Sequence, residues 1–434
     1  MQKKHIIVGS LLVLMAIALG SSLAWWTWST SSNEQTNVVV IVGGITIDYE
    51  DGENITNNNL IPTSTKEKGI SKNITVSSTG QVYLDLNMAV VTLDNGLKDA
   101  SFKYEIYNGS DLVTGGNFAN SNTGDNIALL SGVEVTSSPT TYTLYIWIDG
   151  NMSNPNTMYN QNFEFRLNAE ATDEKPATGA DTITDIYTTA DKTEVVNNDV
   201  TYNYATEVGM MEDIGGNIRY YGADPNNYVS FNDELWRIIG VFKNIDDGTG
   251  KKETRIKIAR SESVGEYAWD NKPSGTGSST SQYGSNEWSD SALMNVLNNG
   301  AYYNRTTGIC PSGQNGATTS CDFSTTGLTD EAKNMIGDAL WNLGGSSTYQ
   351  GLYANDYYTF ERGTTLYSGR STTWTGKIAL MYPSDYLYAS NLATCSSDGG
   401  DWDAFGCADT SWLFISGTYQ WTLSPLASYS DIVF

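Results

Sequence analysis

The sequence predicts a multidomain exported protein: a signal or anchor helix, then an all-β sandwich, then an irregular α+β domain. Three observations carry this. An apolar run behind two lysines opens the chain, short strand patterns broken by turn residues fill positions 37–171, and helix signals appear only from Ser289 onward. A length of 434 residues is comfortable for two cores.

In the opening segment, Lys3 and Lys4 precede an apolar stretch from Ile6 to Leu19, and Ser22-Leu23-Ala24 supplies the small-residue step of an export signal. Trp25, Trp26 and Trp28 follow, where an uncleaved helix sets its interfacial aromatics. Residues 1–30 therefore read either as a cleaved signal peptide or as a transmembrane anchor. No Gly-Phe-x-x-x-Glu step follows the basic end, which counts against a type IV prepilin leader.

Residues 37–171 read as a sandwich of about seven strands. NVVVIVGGITIDY, NITVSS, QVYLDLNMAVVTL, SFKYEIYNGSDLV, TYTLYIWIDG and FEFRLNAEA are separated by Gly, Asn, Ser and Pro. In YTLYIWI both faces are apolar, with Tyr142, Leu144, Ile146 and Ile148 on one and Tyr145 and Trp147 on the other, so this strand is expected to be covered twice. Residues 172–184 then lose aromatics and gain Thr, Asp and Ala, as a linker does. Within this stretch KPATG has the outline of a sortase signal, but its first residue is wrong and no hydrophobic tail follows.

Residues 185–434 form the α+β domain. In NNYVSFNDELWRIIGVF, Asn232-Asp233 is a two-residue hairpin turn, since both tolerate positive φ. That register sets Phe231 opposite Glu234, Val229 opposite Trp236 and Tyr228 opposite Arg237, with Trp236 packed in a core and Arg237 stacked on Tyr228. Ser289 is expected to cap a short helix carrying Leu293, Met294, Val296 and Leu297, closed by Gly300. Thr329 is expected to cap a longer one, with Asp330 and Glu331 in its first turn and Ala332, Met335, Ile336, Ala339, Leu340 and Leu343 on its apolar face. Strands such as TRIKIAR, KIALMY and SWLFIS complete the domain.

Composition narrows the chemistry. Lys and Arg number 24 against 49 Asp and Glu, or 22 against 49 without Lys3 and Lys4, so a nucleic-acid groove is excluded for want of clustered cations. The membrane is met only through the N-terminal segment. His5 is the only histidine and precedes the leader, which removes Ser-His-Asp and Cys-His triads and the usual zinc sites. Four cysteines allow three pairings; Cys310 with Cys321 and Cys395 with Cys407 enclose short polar loops, and an exported chain favours these local disulfides.

The stretches IRYYGADPNNYVSFNDELWRIIGVF, WSDSALMNVLN and WTLSPLASYSDIVF together resemble a domain of unknown function found in exported proteins of Gram-positive-type bacteria, covering 185–434. That family is distantly similar to the C-type-lectin-like and formylglycine-generating-enzyme folds, in which long loops over a small sheet make a binding surface. Its members continue past the closing motif into a strand with an Arg-Pro-Val-like step, so the resemblance implies a domain truncated at Phe434. The enzymes among those relatives use a paired cysteine site that has no residue-by-residue match here, and no activity is carried over. The N-terminal half is weakly similar to camelysin-type exported proteins and biofilm-fibre subunits, through its leader and the YTLYIWIDGN segment.

Candidate ligand platforms are Trp288, Trp374, Trp402 and Trp412, aromatic faces beside polar loops that suit sugar stacking. In SSDGGDWDAFGCAD, Asp398, Asp401 and Asp403 are candidate ligands for a hard cation such as Ca²⁺, with glycines letting the loop curl. No other cofactor is indicated, and no catalytic residue is assigned. The reading is a non-catalytic surface protein that binds extracellular carbohydrate, cell wall or another surface protein. Its rivals are a structural fibre subunit joined through a sheet edge and a glycoside hydrolase working with carboxylates alone.

Overall fold

In the computed structural model the described residues are 26–29, 37–42, 45–50, 55–56, 60–151, 158, 160–271, 284, 286–346, 352–364, 371–395, 408–415 and 420–425. They divide into two compact units, Met1–Pro176 and Ala177–Phe434. Of the leader helix expected at residues 1–30, Trp26–Ser29 is instead a strand paired in the sandwich, and residues 1–25 and 30 lie outside the described residues, as do 426–434. Among the described residues no helix is long and apolar enough to cross a membrane.

The first unit is built of strands β1 (Trp26–Ser29), β2 (Asn37–Val42), β3 (Ile45–Glu50), β4 (Ile55–Thr56), β5 (Ile70–Ser78), β6 (Val82–Leu93), β7 (Phe102–Asn108), β8 (Asp111–Asn117), β9 (Asn126–Val135), β10 (Thr140–Ile148) and β11 (Phe163–Thr172). One sheet runs β1-β11-β6-β9 with β4 also on β11; the other runs β2-β3-β5-β10-β7-β8. Alternation buries Val82, Leu84, Leu86, Met88 and Val90 of β6 and Phe163, Phe165, Leu167, Ala169 and Ala171 of β11 in one core. Ile74, Val76, Phe102, Ile106, Leu144 and Ile146 of the other sheet meet them there, so the unit is a β-sandwich. At its centre Phe118 stacks on Phe165 with ring centroids 4.7 Å apart.

The second cover over β10 is a crossing segment rather than a further layer. The Thr63 N–H donates to the Ile148 carbonyl at 2.9 Å, and Lys66 lies 3.8 Å from the Tyr107 ring while pairing with Glu105 at 3.0 Å. A Cβ on Gly69 would overlap the Ile146 carbonyl and the Trp147 side chain, so close approach requires glycine there. More strands form than the seven expected. β9 escapes the alternation test because Gly132, at φ 57 with its N–H donating to the Asp85 carboxylate at 2.6 Å, interrupts the pattern.

The second unit begins earlier than the composition suggests. Residues 172–184 were expected to be linker, yet helix α1 spans Gly179–Thr189. Thr178 and Asp181 close a reciprocal capping box, and Ala180, Ile183 and Tyr187 are buried. The Thr and Asp that resembled linker composition are thus cap residues, and KPATG is the entry to this helix.

A seven-stranded antiparallel sheet follows: β12 (Thr193–Asn197), β13 (Val200–Ala205), β14 (Met210–Glu212), β15 (Ile218–Tyr220), β16 (Tyr228–Phe231), β17 (Glu234–Asp246) and β18 (Lys252–Arg260), in the order β12-β13-β14-β15-β17-β16 with β18 on the other edge of β17. The β16–β17 hairpin has the expected register, with Asn232 at φ 57 and Asp233 at φ 60. One face of the sheet takes α1 against Met210, Ile218, Tyr220 and Val241. On the other face, Tyr202, Tyr204 and Met211 meet Tyr357 of α4 (Ala354–Glu361) and Leu387 and Tyr388 of α5 (Pro383–Tyr388), once α2 (Ala292–Asn298) and α3 (Asp330–Met335) have been passed.

Several sequence expectations need correction here. The cap of α2 is Ser291, whose hydroxyl accepts from Met294 N–H at 3.1 Å; Ser289 sits in the preceding turn and bonds Glu287. Thr329 does cap α3, but the helix stops at Met335. Residues Ala339–Asn342 instead form a short strand paired with Thr373–Gly376, and Arg255 takes the Asp338 carbonyl. Neither Lys377–Tyr382 nor Ser411–Ile415 is a strand, Ser411 making one isolated bridge to Gly222.

Candidate functional site

Three turns and a helix end frame a groove on the second unit. The loop 206–209 between β13 and β14, the connection 221–226 after β15, Ile186 of α1 and Asn391 line a space of about 570 Å³. Tyr220 and Tyr221 pass beneath it, their rings buried in the cores on opposite faces of the sheet, and burial raises both phenols. Glu207, Asp224 and Asn226 are exposed at its rim. Short polar groups thus line the groove, an arrangement that suits a polyhydroxyl or amide-bearing ligand.

Arg237 holds the back of this groove together. Its Nε donates to Asn227 Oδ1 at 2.6 Å and its Nη2 to the Pro225 carbonyl at 3.2 Å, which fixes the 225–227 turn. The guanidinium lies 4.1 Å from the Tyr228 ring and 4.9 Å from Trp412. Arg237 is therefore a clasp stacked on Tyr228, as its register implied, rather than a reader of external anions.

The four tryptophans do not converge. Trp288 is 1% exposed, edge-on to Trp374 at 5.9 Å, in the core built on α2; burial removes it as a platform. Trp374 is half-buried against the same core. Trp412 belongs to a different cluster, and its indole donates to the Tyr220 carbonyl at 3.0 Å, which ties the 411–412 segment to the groove floor. Trp402, Asp398, Asp401 and Asp403 lie outside the described residues. Among the described residues no group of metal-ligating side chains occurs. Cys310 and Cys321 are bonded, joining strands Thr307–Pro311 and Thr318–Asp322. Cys395 is also disulfide-bonded; Cys407, the remaining cysteine, lies outside the described residues.

A buried charge network between the sheet and α4–α5 was not anticipated from sequence. Arg219 of β15, 1% exposed, donates to Asp213 Oδ2 at 2.6 Å and to Asp385 Oδ1 at 2.7 Å. Lys257 of β18, its side chain 15% exposed, pairs with Asp385 Oδ2. Glu361, the last residue of α4, accepts from Ser384 N–H at 2.9 Å and Ser384 Oγ at 2.6 Å, with Arg362 at 3.3 Å. Burial pushes the Glu361 carboxyl up to about 7 against the pull of Arg362 and Ser384. Burial would also raise Asp385, but Lys257 and Arg219 beside it outweigh that and hold it at about 2. The Lys257 ammonium is lowered by burial, which Asp385 only partly offsets.

No family model matches the chain, and no curated protein matches it. Among solved structures it is similar to the crystal structure of infectious bursal disease virus VP2 subviral particle, at 12% identity with a TM-score of 0.17. That likeness covers 34% of this chain and 32% of the other, and it is too slight to carry an argument about fold or function.

Proposed function

We infer that the chain is an exported surface protein whose sandwich presents a lectin-like α+β unit that binds a polar ligand, an extracellular glycan or cell-wall fragment, without turning it over. The observation that carries this reading is the groove, rimmed by Glu207, Asp224 and Asn226 and braced by Arg237. Such a rim supplies the acceptors and donors that sugar hydroxyls need. The test is titration of the protein from residue 26, which keeps strand β1, against a panel of bacterial and host glycans, with calcium and with chelator. Saturable binding that is lost in the double variant Asp224→Ala, Asn226→Ala supports the groove. Binding that survives this variant but is lost on Asp401→Ala with chelator sensitivity moves the site to the acidic loop, and no binding to any glycan ends the reading.

One observation favours the fibre subunit as a second reading. The outer edge of β11 is filled by two short segments, Trp26–Ser29 beside Asn168–Ala171 and Ile55–Thr56 beside Glu164–Phe165. Among the described strands the four-residue Trp26–Ser29 pairs with β11 alone, so in an assembly it can be donated to the β11 edge of another copy. Concentration-dependent filaments that vanish when residues 26–29 are deleted support it; a monomer at all concentrations counts against it.

A further inference from the structure

We propose that Lys257 and Asp385 condense into an intramolecular amide bond, with Glu361 moving the protons. Three features stand together in this interior: an amine in contact with a carboxyl, a second buried carboxyl beside them, and apolar walls. Lys257 Nζ donates to Asp385 Oδ2, and the rings of Tyr382, Trp341 and Phe242 lie 4.6, 5.4 and 5.7 Å from it. Asp385 is 1% exposed and Glu361 1% exposed, with Ser384 bonded to Glu361 through both its N–H and its hydroxyl. A lysine desolvated in this way is a competent nucleophile, and a dry site disfavours hydrolysis of the product.

The atoms balance within the pair. Nζ attacks Asp385 Cγ, and Oδ1, held by Arg219 Nη1 at 2.7 Å, becomes the amide oxygen. Oδ2, which accepts from Tyr382 N–H at 2.8 Å, departs as water. Of the three ammonium hydrogens, one stays on the amide nitrogen and two leave with Oδ2, so no oxidant or external proton is needed. One proton crosses directly from Nζ to Oδ2 along their contact, and Glu361, which interacts electrostatically with both partners, takes the second from the nitrogen and delivers it to the leaving oxygen. The charges also close: before reaction Arg219, Lys257 and Arg362 face Asp213, Asp385 and Glu361, and the amide removes one of each sign. Lys257 and Arg219 hold Asp385 as the carboxylate, so the direct transfer comes first and gives the neutral amine and the neutral acid that the attack requires, a step favoured by the burial that lowers the Lys257 ammonium.

The experiment is denaturing mass spectrometry of the reduced, purified whole protein, followed by tryptic mapping. The expected result is a chain one water lighter than its sequence, with a branched peptide joining Lys257 to Asp385. Lys257→Arg should restore the full sequence mass, and Glu361→Gln should leave the water in place while the protein still folds. A wild-type chain of full sequence mass with no branched peptide overturns the proposal, and it does so whether or not either variant folds. Loss of water that persists in Glu361→Gln overturns the role given to Glu361.

Discussion

Replacing Arg219 by methionine is expected to destabilise the second unit by about 3 kcal/mol. The guanidinium contacts Asp213 at 2.6 Å and Asp385 at 2.7 Å, and both carboxylate side chains are 0% exposed. Removing one partner of a buried pair costs roughly 3–5 kcal/mol, because a charge is left where water cannot reach it. Two features place this case at the low end. Asp213 keeps the Asn217 side chain and the N–H groups of Gly215 and Asn217, and Asp385 keeps Lys257 and the Tyr382 N–H. The assay is urea unfolding followed by tryptophan fluorescence, fitted with a separate transition for each unit, so that the sandwich serves as an internal reference. Adding Asp213→Asn to Arg219→Met should recover part of the loss by removing an orphaned charge. A single variant that loses less than about 1 kcal/mol, as an exposed pair would, refutes the reasoning.

Three further outcomes follow from the same structure. Glu361, raised from 4.5 to about 7, contributes stability that is full below 4.5 and lost as pH rises through 7, a change on the order of 3 kcal/mol; urea midpoints at pH 5 and pH 8 should differ in wild type but not in Glu361→Gln, and a flat wild-type profile would sink the assignment. His5 is the only histidine, so no imidazole of the second unit titrates in that window. Replacing Cys310 and Cys321 together by alanine opens a loop of separation 11, for which chain entropy gives about 3 kcal/mol; an unchanged midpoint under reducing and oxidising conditions would contradict it. Gly240→Ala would drive a Cβ into the Ile218 carbonyl where β15 pairs with β17, so soluble expression of the second unit should collapse while the sandwich still folds; a normally folded variant would show that the β15–β17 contact is looser than described.

What the sequence made legible was local. Asn232-Asp233 announced its turn because few residues accept positive φ, and the register of Tyr228 with Arg237 followed by counting. Strand alternation in β6 and β11 likewise declared one sandwich face. Thr329 was legible as a cap, but the spacing Ala332, Met335, Ile336, Ala339, Leu340 also serves a short helix followed by a strand, and periodicity cannot separate the two. The cap of α2 was misplaced by two residues because Ser289 and Ser291 are equally good cap residues in isolation. The charge network was illegible for a different reason. Asp213, Arg219, Lys257, Glu361 and Asp385 lie on five segments, and in a chain with 49 acids each looks like an ordinary solvated charge. Only the fold reveals that the five share one dry interior. The groove shares this property, since its floor and rim come from separate loops.

The contact between Lys257 and Asp385 spans 128 positions of sequence, from β18 to α5. Once that tie is an amide, tension applied between the two ends of the chain passes through it and skips everything between. The intervening segment, with its disulfide and the core around Trp288, then carries no load and cannot be drawn out as slack. A tether exposed to flow or to a moving surface would transmit force through a short covalent route, and its working length would stay fixed under pulls that unravel an uncrosslinked unit.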